Sequence, residues 1–494
     1  MNTNPLAIPE LLYRIGSFVT QWVYSERRYK LEFEPKHIIA CINVCRLWRD
    51  TLTPLLWAVF DDNNVCLVVA PHLNSEKRLL IPVETLQAHQ RHLRYARIQF
   101  EWPTDIFQPT HLQELVTDSK LLSVRHDLLR SNPHLNLLYL DFRTEVTYDK
   151  IKDILEATSQ LKTVSFNCLR FANANSGTLS GFFDSNSQLE KLAIFHIHGL
   201  ERFDLYQPLQ NLTRMLLIGT WISNEGLLDI FRHSPNLETL ETSTYDCPVI
   251  DLSRVLRGHC RKLVSLWCIG QNQLDPDDVL ELIQATSRLV RFKSPCTSLT
   301  TEIIQALLVH ANSLETVKLR VHGYVEDILT TMGSILAAAN LKALLLRRAP
   351  WLYSTKDEIF IQNLFQSHWS CQELEAFKMQ GFLRSFTDLE SSGENSDNTA
   401  IQRTRFENRA FMDDLVGEGW AWKAIKSRGE LGTAFTAEAK FLLGVVSEWM
   451  KRMPRLCQVQ VEDLMFCHKD KLPSRRRRDP WYIDVKDHAQ LPIE

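Results

Sequence analysis

The most regular feature of the chain is an alternation of apolar and polar positions that recurs about every 25 residues. Each copy has a leucine, two variable residues, an apolar residue, one variable residue and another apolar residue. Full copies begin at Leu135, Leu161, Leu189, Leu212 and Leu314, and looser ones at Leu93, Leu112, Leu237, Leu263, Leu289, Leu341, Leu374 and Leu456. Alternation of this kind predicts a half-buried strand in every copy.

Helical spacing of apolar residues precedes several of these strands, as in residues 279–285 and 303–308. Asp275 and Pro276, followed by two acidic residues, predict the start of the first of these helices. A strand plus a helix at this period is typical of leucine-rich repeats. We therefore expect an α/β leucine-rich-repeat solenoid of horseshoe shape. The alternative, a doubly wound α/β domain, would lack the fixed period and would need a glycine-rich phosphate loop.

The first sixty residues follow a different pattern. Ile15 and Phe18 lie at helical spacing, and Ile38, Cys41 and Trp48 share one stripe of a later helix. This predicts a bundle of two or three short helices, which is too small to be stable without neighbours or a partner.

These patterns divide the chain into segments. We expect an all-α domain at 1–60, a connecting segment at 61–90, the solenoid at 91–467 and a charged tail at 468–494. The repeat fails between Leu374 and Leu456. An irregular insert is predicted there at about 381–436, followed by a helix over about 437–453.

The order of the N-terminal residues resembles an F-box. The matching runs are Pro9-Glu10-Leu11-Leu12, Val44-Cys45-Arg46-Leu47-Trp48-Arg49 and Leu56-Trp57. With repeats behind them, the chain is similar to fungal F-box and leucine-rich-repeat proteins. Residues 20–36 depart from the family, because they are longer than the typical connection between these helices.

The resemblance implies a non-catalytic substrate receptor of a cullin-RING (SCF-type) ubiquitin ligase. In such a receptor the F-box docks the Skp adaptor and the repeats hold a target protein for ubiquitination. The matched positions expected at or directly behind the adaptor contact are Ile8, Pro9, Leu11, Leu12, Val44, Trp48 and Trp57. Two alternatives stay open. Trp48 and Trp57 could fill a seam with the first repeat, or the chain could be a repeat scaffold or inhibitor with no ligase link, whose helices only cap the solenoid.

Basic residues gather on one predicted surface of the solenoid. Positions two, four and six after each anchor leucine should face away from the core. In the four units anchored at Leu289, Leu314, Leu341 and Leu374, these positions include Arg291, Lys293, Lys318, Arg320, Arg347 and Lys378, with no acidic residue. We expect Arg291, Lys293, Lys318, Arg320 and Arg347, with Trp267 as an aromatic anchor, to bind an acidic or phosphorylated protein segment. The alternative is that these charges serve only solubility and edge protection.

Composition narrows the function classes. Lys and Arg number 56 against 59 Asp and Glu, a net charge of -3, so we do not expect a dedicated nucleic-acid binder. Eleven scattered cysteines without a CxxC pair, no secretory signal and no long apolar run predict a cytoplasmic or nuclear protein without a membrane partner. Four arginines at 475–478 are either a nuclear-import signal or solvated charge.

Motifs for catalysis and for cofactors are missing from the sequence. It has no HExxH, no Walker loop and no GxSxG elbow, so we expect neither an enzyme nor a cofactor. His37, Cys41 and Cys45 share a helical face, but a fourth ligand is not evident, so no metal site is predicted.

Overall fold

The structure is a computed structural model of the 494-residue chain. It describes residues 6, 8–18, 22–25, 30–33, 36–62, 65–67, 79–98, 106–118, 126–142, 157–167, 180–196, 198–200, 205–244, 247–268, 274–321, 340–348, 371, 373–380, 420–424, 453, 455–456, 458–461 and 464–468. These residues form two compact units. The first holds the described residues up to Leu212 together with Thr220–His233, and the second holds Thr213–Gly219 and the described residues from Ser234 onward.

Helices and strands alternate along much of the described chain. The α-helices are α1 (Pro9–Ser17), α2 (Lys36–Ile42), α3 (Arg46–Leu56), α4 (Val83–His89), α5 (His126–Arg130), α6 (Ser180–Ser185), α7 (Asn224–Arg232), α8 (Val249–His259), α9 (Pro276–Gln284) and α10 (Thr301–Val309). The strands are β1 (Trp22–Ser25), β2 (Lys30–Phe33), β3 (Val59–Asp61), β4 (Val65–Leu67), β5 (Leu79–Ile81), β6 (Tyr95–Ile98), β7 (Glu114–Asp118), β8 (Leu137–Asp141), β9 (Thr163–Asn167), β10 (Lys191–Phe195), β11 (His198–Leu200), β12 (Arg214–Ile222), β13 (Thr239–Thr244), β14 (Ser265–Cys268), β15 (Arg291–Cys296), β16 (Thr316–Val321), β17 (Ala343–Arg348), β18 (Ala376–Gln380), β19 (Trp420–Ala424), β20 (Gln458–Val461) and β21 (Leu464–His468).

The first unit is built on a parallel ladder of strands in the order β3, β6, β7, β8, β9 and β10. Residues three positions after successive anchor leucines are direct neighbours across it. Leu115 pairs with Leu138, Leu138 with Val164 and Val164 with Leu192, and all four are buried. The period of the sequence therefore becomes a continuous apolar row in the core.

The second unit repeats this arrangement with the parallel ladder β13, β14, β15, β16, β17, β18 and β20. Its end is antiparallel, because β21 pairs with both β20 and β19. The core row consists of fully buried side chains, namely Leu240, Leu266, Phe292, Val317, Leu344, Phe377 and Val459. Helices α8, α9 and α10 each join two successive strands. The prediction of an α/β solenoid of the leucine-rich-repeat type is confirmed at the level of strand-and-helix repeats in a parallel sheet.

In several of the turns that precede strands, a buried side chain bonds back to the preceding repeat. Asn132, three positions before the anchor Leu135, accepts the N–H of Leu112 at 2.7 Å and donates to the carbonyl of Pro109 at 2.8 Å. In the second unit the Cys371 thiol at the equivalent turn donates to the carbonyl of Leu341 at 3.1 Å. These bonds satisfy backbone groups that the turns would otherwise bury without partners.

The helix starts agree in part with the sequence. Helix α9 begins at Pro276, as predicted, but the side chain of Asp275 makes no capping hydrogen bond. Thr300 caps α10 by accepting the N–H of Ile303 at 3.4 Å, and Ser223 caps α7 by accepting that of Gly226 at 3.1 Å. Hydroxyl caps of this kind satisfy N–H groups that the first helical turn leaves free.

Several of the predicted segments lie partly or wholly outside the described residues. The polar stretch at 391–398 and the tail from 469 onward lie outside the described residues, as does all of the helix predicted at 437–453 except Met453. Within the predicted insert the structure describes residues 420–424, which form β19 and pair antiparallel with β21. The predicted connecting segment holds β4, β5 and α4.

Candidate interaction surfaces

The N-terminal helices α1, α2 and α3 pack around three buried side chains, Leu12, Ile38 and Leu52. Partly buried apolar residues surround these three, namely Cys41, Ile42, Leu47, Trp48, Leu55 and Leu56. These helices correspond to the short bundle that the hydrophobic pattern predicts. The unusually long connection between α1 and α2 contains the antiparallel pair β1 and β2.

Apolar side chains of α1 also face solvent. Leu11, Ile15 and Phe18 are 41%, 48% and 67% exposed, and their spacing of four and three residues places them on one stripe. We call these three residues the α1 stripe. Val44, between α2 and α3, is 61% exposed. Large apolar side chains grouped in this way on a surface mark a site for a partner.

The predicted adaptor residues divide between this surface and the layer beneath it. Leu11, Pro9 and Val44 are exposed, and Ile8 is half-buried just before α1. The other three lie beneath it: Leu12 in the core, Trp48 packed against the core, and Trp57 stacked on His89 of α4.

The Trp57 contact links the helical bundle to the next helix of the chain. The indole and imidazole ring centres are 4.9 Å apart with an angle of 15° between the rings. Burial, and then the charge of Arg91, lower the pKa of His89, and the same two causes lower the pKa of His92. The His89 ring is therefore neutral at pH 7, so it can stack on the indole without a charged group having to lose its hydration.

The second surface lies on β15 and β16 of the second unit. We call Arg291, Lys293, Lys318 and Arg320 the basic face. Lys293 lies directly opposite Lys318 across the two strands. Both arginines are exposed and both lysines are half-buried. Arg347 follows in register beside Arg320 on β17, and its side chain lies outside the described residues.

Trp267 lies beneath the two lysines of the basic face. This residue is only 9% exposed, and the ammonium groups of Lys293 and Lys318 lie 5.4 Å and 5.0 Å from the centre of its ring. The negative face of an indole attracts cations at such distances. Because Lys318 is two strands away from Trp267, its side chain must reach back across β15, so both ammonium groups converge on one ring.

The acidic residue of the same row is already paired. Glu241 is the register neighbour of Trp267 on β13, and its carboxylate lies 3.4 Å from the guanidinium of Arg214. The sequence identifies Trp267, Lys293 and Lys318 as surface candidates but does not reveal the packing of the two lysines over the indole. Their shared position, four residues after three successive anchors, was the available signal.

A metal site needs several His, Cys, Asp or Glu side chains close together. Among the described residues, no group of three or more of them is placed to hold a metal ion. Of the three residues considered from the sequence, His37 and Cys45 are exposed and Cys41 is half-buried. No helix in the described part of the chain is long and apolar enough to cross a membrane.

Comparison with known proteins gives similarity to solved structures only. The TLR13–ssRNA13 complex has 15% identity and a TM-score of 0.31, covering 62% of this chain and 42% of that one. The Toll–Spatzle complex of Drosophila has 15% identity and a TM-score of 0.32, covering 61% of this chain and 49% of that one. The aligned part is thus less than half of either neighbour. No family model matches the chain, and no curated protein matches it.

Proposed function

We propose that this chain is a non-catalytic substrate receptor of a cullin-RING ubiquitin ligase. In this proposal α1, α2 and α3 form an F-box that docks the Skp adaptor, and the strand-and-helix repeats hold a target protein. The observation that carries it is the exposed α1 stripe, because it lies within the segment whose residues match the F-box pattern.

The physical argument concerns the size and the exposure of the helical bundle. Its buried core contains Leu12, Ile38 and Leu52, while Leu11, Ile15 and Phe18 of the same segment stay in water. Burying such side chains against a partner yields about 25 cal/mol for every Å² of apolar surface removed from water. Docking would therefore stabilise both the complex and the bundle.

A second candidate is a repeat scaffold without a ligase link. The stacking of Trp57 on His89 supports it, because this contact joins α3 to α4 and so lets the bundle serve as a cap for the repeats. In this case the α1 stripe would have no role in adaptor binding. Neither candidate assigns chemistry to the chain. For both we propose a cytoplasmic or nuclear location, because the eleven cysteines are scattered and include no CxxC pair.

The experiment is a direct binding measurement between the purified chain and a purified Skp adaptor. We expect a complex at micromolar concentrations, and loss of affinity by about 100-fold or more when Leu11 and Phe18 are both replaced by Glu. Ile250→Glu is the matched control, because Ile250 is an equally exposed apolar residue of α8 in the second unit. Circular dichroism should show that all variants keep their secondary structure.

The outcome separates the two candidates. Failure of the unmodified chain to bind the adaptor would contradict the ligase proposal and favour the scaffold. Equal binding by the unmodified chain and the double variant would show that the α1 stripe is not the docking surface.

A further inference from the structure

We infer that the basic face binds an extended protein segment in which acidic residues occupy every second position. This inference deepens the proposed function by naming the class of target. It concerns only the second unit, so it can be tested without the adaptor.

The spacing of the cations is the first argument. Side chains on one face of a strand repeat every two residues, about 6.8 Å apart. Arg291 and Lys293 are two residues apart on β15, and Lys318 and Arg320 are two residues apart on β16. Since Lys293 lies opposite Lys318, the four cations occupy three successive rows of the sheet. An extended partner has the same repeat, so its carboxylates at positions i, i+2 and i+4 would meet one row each.

The second argument is that the middle row is held in place before any ligand arrives. Like charges directly opposite each other destabilise a strand pair. Lys293 and Lys318 are such a pair, and their ammonium groups share the ring of Trp267 at 5.4 Å and 5.0 Å. The ring offsets part of the repulsion and fixes both side chains. Less conformational entropy is then lost when an anion binds.

The third argument is the charge around the face. The acidic neighbour in the middle row, Glu241, is engaged by Arg214 at 3.4 Å. Within the third row the register continues from Arg320 to Arg347 and then to Gln380, so β17 and β18 add no acidic residue to that row. The carboxylates of a partner that runs along β15 and β16 would therefore not face a strand carboxylate there.

The same observations favour carboxylates over two other anions. A single phosphate could engage the two lysines, but it would leave Arg291 and Arg320, in the rows on either side, without a role. Single-stranded RNA has regularly spaced phosphates, but proteins bind it largely by stacking bases on aromatic rings. Trp267 offers no such platform, because the residue is only 9% exposed and two ammonium groups lie over its ring.

The test uses the purified 494-residue chain and fluorescent nine-residue peptides. The first peptide has Glu at positions 3, 5 and 7 with Gly and Ser elsewhere, and the second has Glu at positions 2, 5 and 8. Both carry the same charge, but only the first places its carboxylates on one side when extended. We expect the first peptide to bind about tenfold more tightly at low ionic strength, and both affinities to fall as salt is added.

Two variants and a control connect binding to the basic face. Arg291→Gln and Arg320→Gln should each weaken the first peptide by about fivefold, because each removes the cation of one outer row. Arg288→Gln removes an exposed cation in the turn before β15 and should have little effect. Since all three positions are exposed, the variants should fold normally, as circular dichroism can verify.

Several outcomes would overturn the inference. These are equal affinity for the two peptides, no binding of the first at about 1 mM, or equal losses for all three variants. Tighter binding of a peptide with one phosphoserine and no Glu, or of oligouridine RNA, would also overturn it in favour of that anion. None of these results depends on adaptor binding, so a failure here leaves the ligase proposal standing, and the reverse holds too.

Discussion

Asn186 accepts the backbone N–H of Leu161 through its Oδ1 atom at 3.0 Å, although 25 residues separate the two in sequence. Its Nδ2 donates to the carbonyls of Thr158 and Phe182, each at 3.0 Å. One buried side chain thus joins the turn of its own repeat to the turn of the preceding one. Because the groups it satisfies are backbone atoms, their need for a partner does not depend on which side chains surround them.

Replacing Asn186 by Ala should therefore destabilise the first unit markedly. The N–H of Leu161 and the carbonyl of Thr158 would each lose a hydrogen bond, whereas the carbonyl of Phe182 keeps the bond from the backbone N–H of residue 186. At about 1 to 3 kcal/mol for a buried group that stays unsatisfied, we expect a loss of about 2 kcal/mol in the free energy of local opening, measured by hydrogen exchange at residues 157–167. Asn211→Ala is the control. Asn211 is exposed, and its side chain donates a hydrogen bond of 3.1 Å to the carbonyl of Ser187. A similar effect of the two substitutions would contradict the bridging role.

Two glycines should respond in opposite directions to substitution by Ala. A Cβ atom on Gly16 of α1 would meet Leu52 and would lie 2.9 Å from the Cδ1 atom of Leu55, so these two side chains of α3, or the helix itself, would have to shift. The expected cost is about 1 to 3 kcal/mol in bundle stability. Gly258 in α8 has nothing within 4 Å of such an atom, so Gly258→Ala should be neutral or stabilise by up to about 1 kcal/mol. Urea unfolding of each variant measures both changes, and destabilisation by Gly258→Ala would contradict the described packing.

Stability should fall on acidification because of His310. Burial lowers its pKa below 6.5, partly opposed by a hydrogen bond with the Ile283 backbone, and its Nδ1 atom accepts the N–H of Leu289 at 3.2 Å. The unfolded chain then binds a proton at this residue more readily than the folded chain does. This contribution is present above about pH 6.5 and is lost as the pH falls below it. His89 and His92 act in the same direction, since their pKa values are also lowered.

The contribution of His310 can be isolated with His310→Gln. Glutamine keeps an acceptor for the Leu289 N–H but does not titrate. Between pH 7 and 5 the variant should lose less free energy of unfolding than the unmodified chain. The slopes of the two profiles against pH should differ by at most the contribution of one bound proton. Parallel pH profiles would show that the protonation of His310 is not linked to folding.

An anchor leucine of the second unit should affect its neighbours together. Leu263 is buried, and Leu263→Asp would place a charge at a buried anchor position just before β14. Since each repeat contacts only adjacent repeats, we expect hydrogen-exchange protection to be lost over a contiguous block around β14. Loss limited to one loop, with the flanking strands fully protected, would contradict the stacking of repeats.

Burial sets the repeat positions that the sequence reveals most directly. The position occupied by Leu138, Val164 and Leu192 in successive copies is always apolar, because it fills the same layer of the core. The strands and their parallel pairing can therefore be predicted. The turn residues could not be, because a backbone group accepts several kinds of partner. Asn186 and Cys371 occupy equivalent turns with unlike side chains. Their shared feature is a position and not a residue type.

The surfaces show the same limit. Sequence periodicity correctly puts Arg291 and Arg320 on the exposed side of their strands, since alternation fixes direction. It does not fix the conformation of a long side chain, so it does not predict that Lys318 reaches back to the ring of Trp267. Sequence periodicity does not predict the strand β19 for a related reason. Its partner, β21, is remote in sequence, and antiparallel pairing of this kind leaves no local period.

The sheet of the second unit passes directly from β18 to β20, with Phe377 beside Val459. Arg455 likewise forms an ion pair with Glu373, 82 residues earlier. The two strands thus meet as consecutive repeats would, whatever the number of residues between them, and the entropy of closing a loop grows only slowly with its length. This junction is a place where evolution can lengthen or shorten the chain and a designer can insert a domain. Such changes of length would have to spare β19, because it pairs with β21 and so belongs to the sheet.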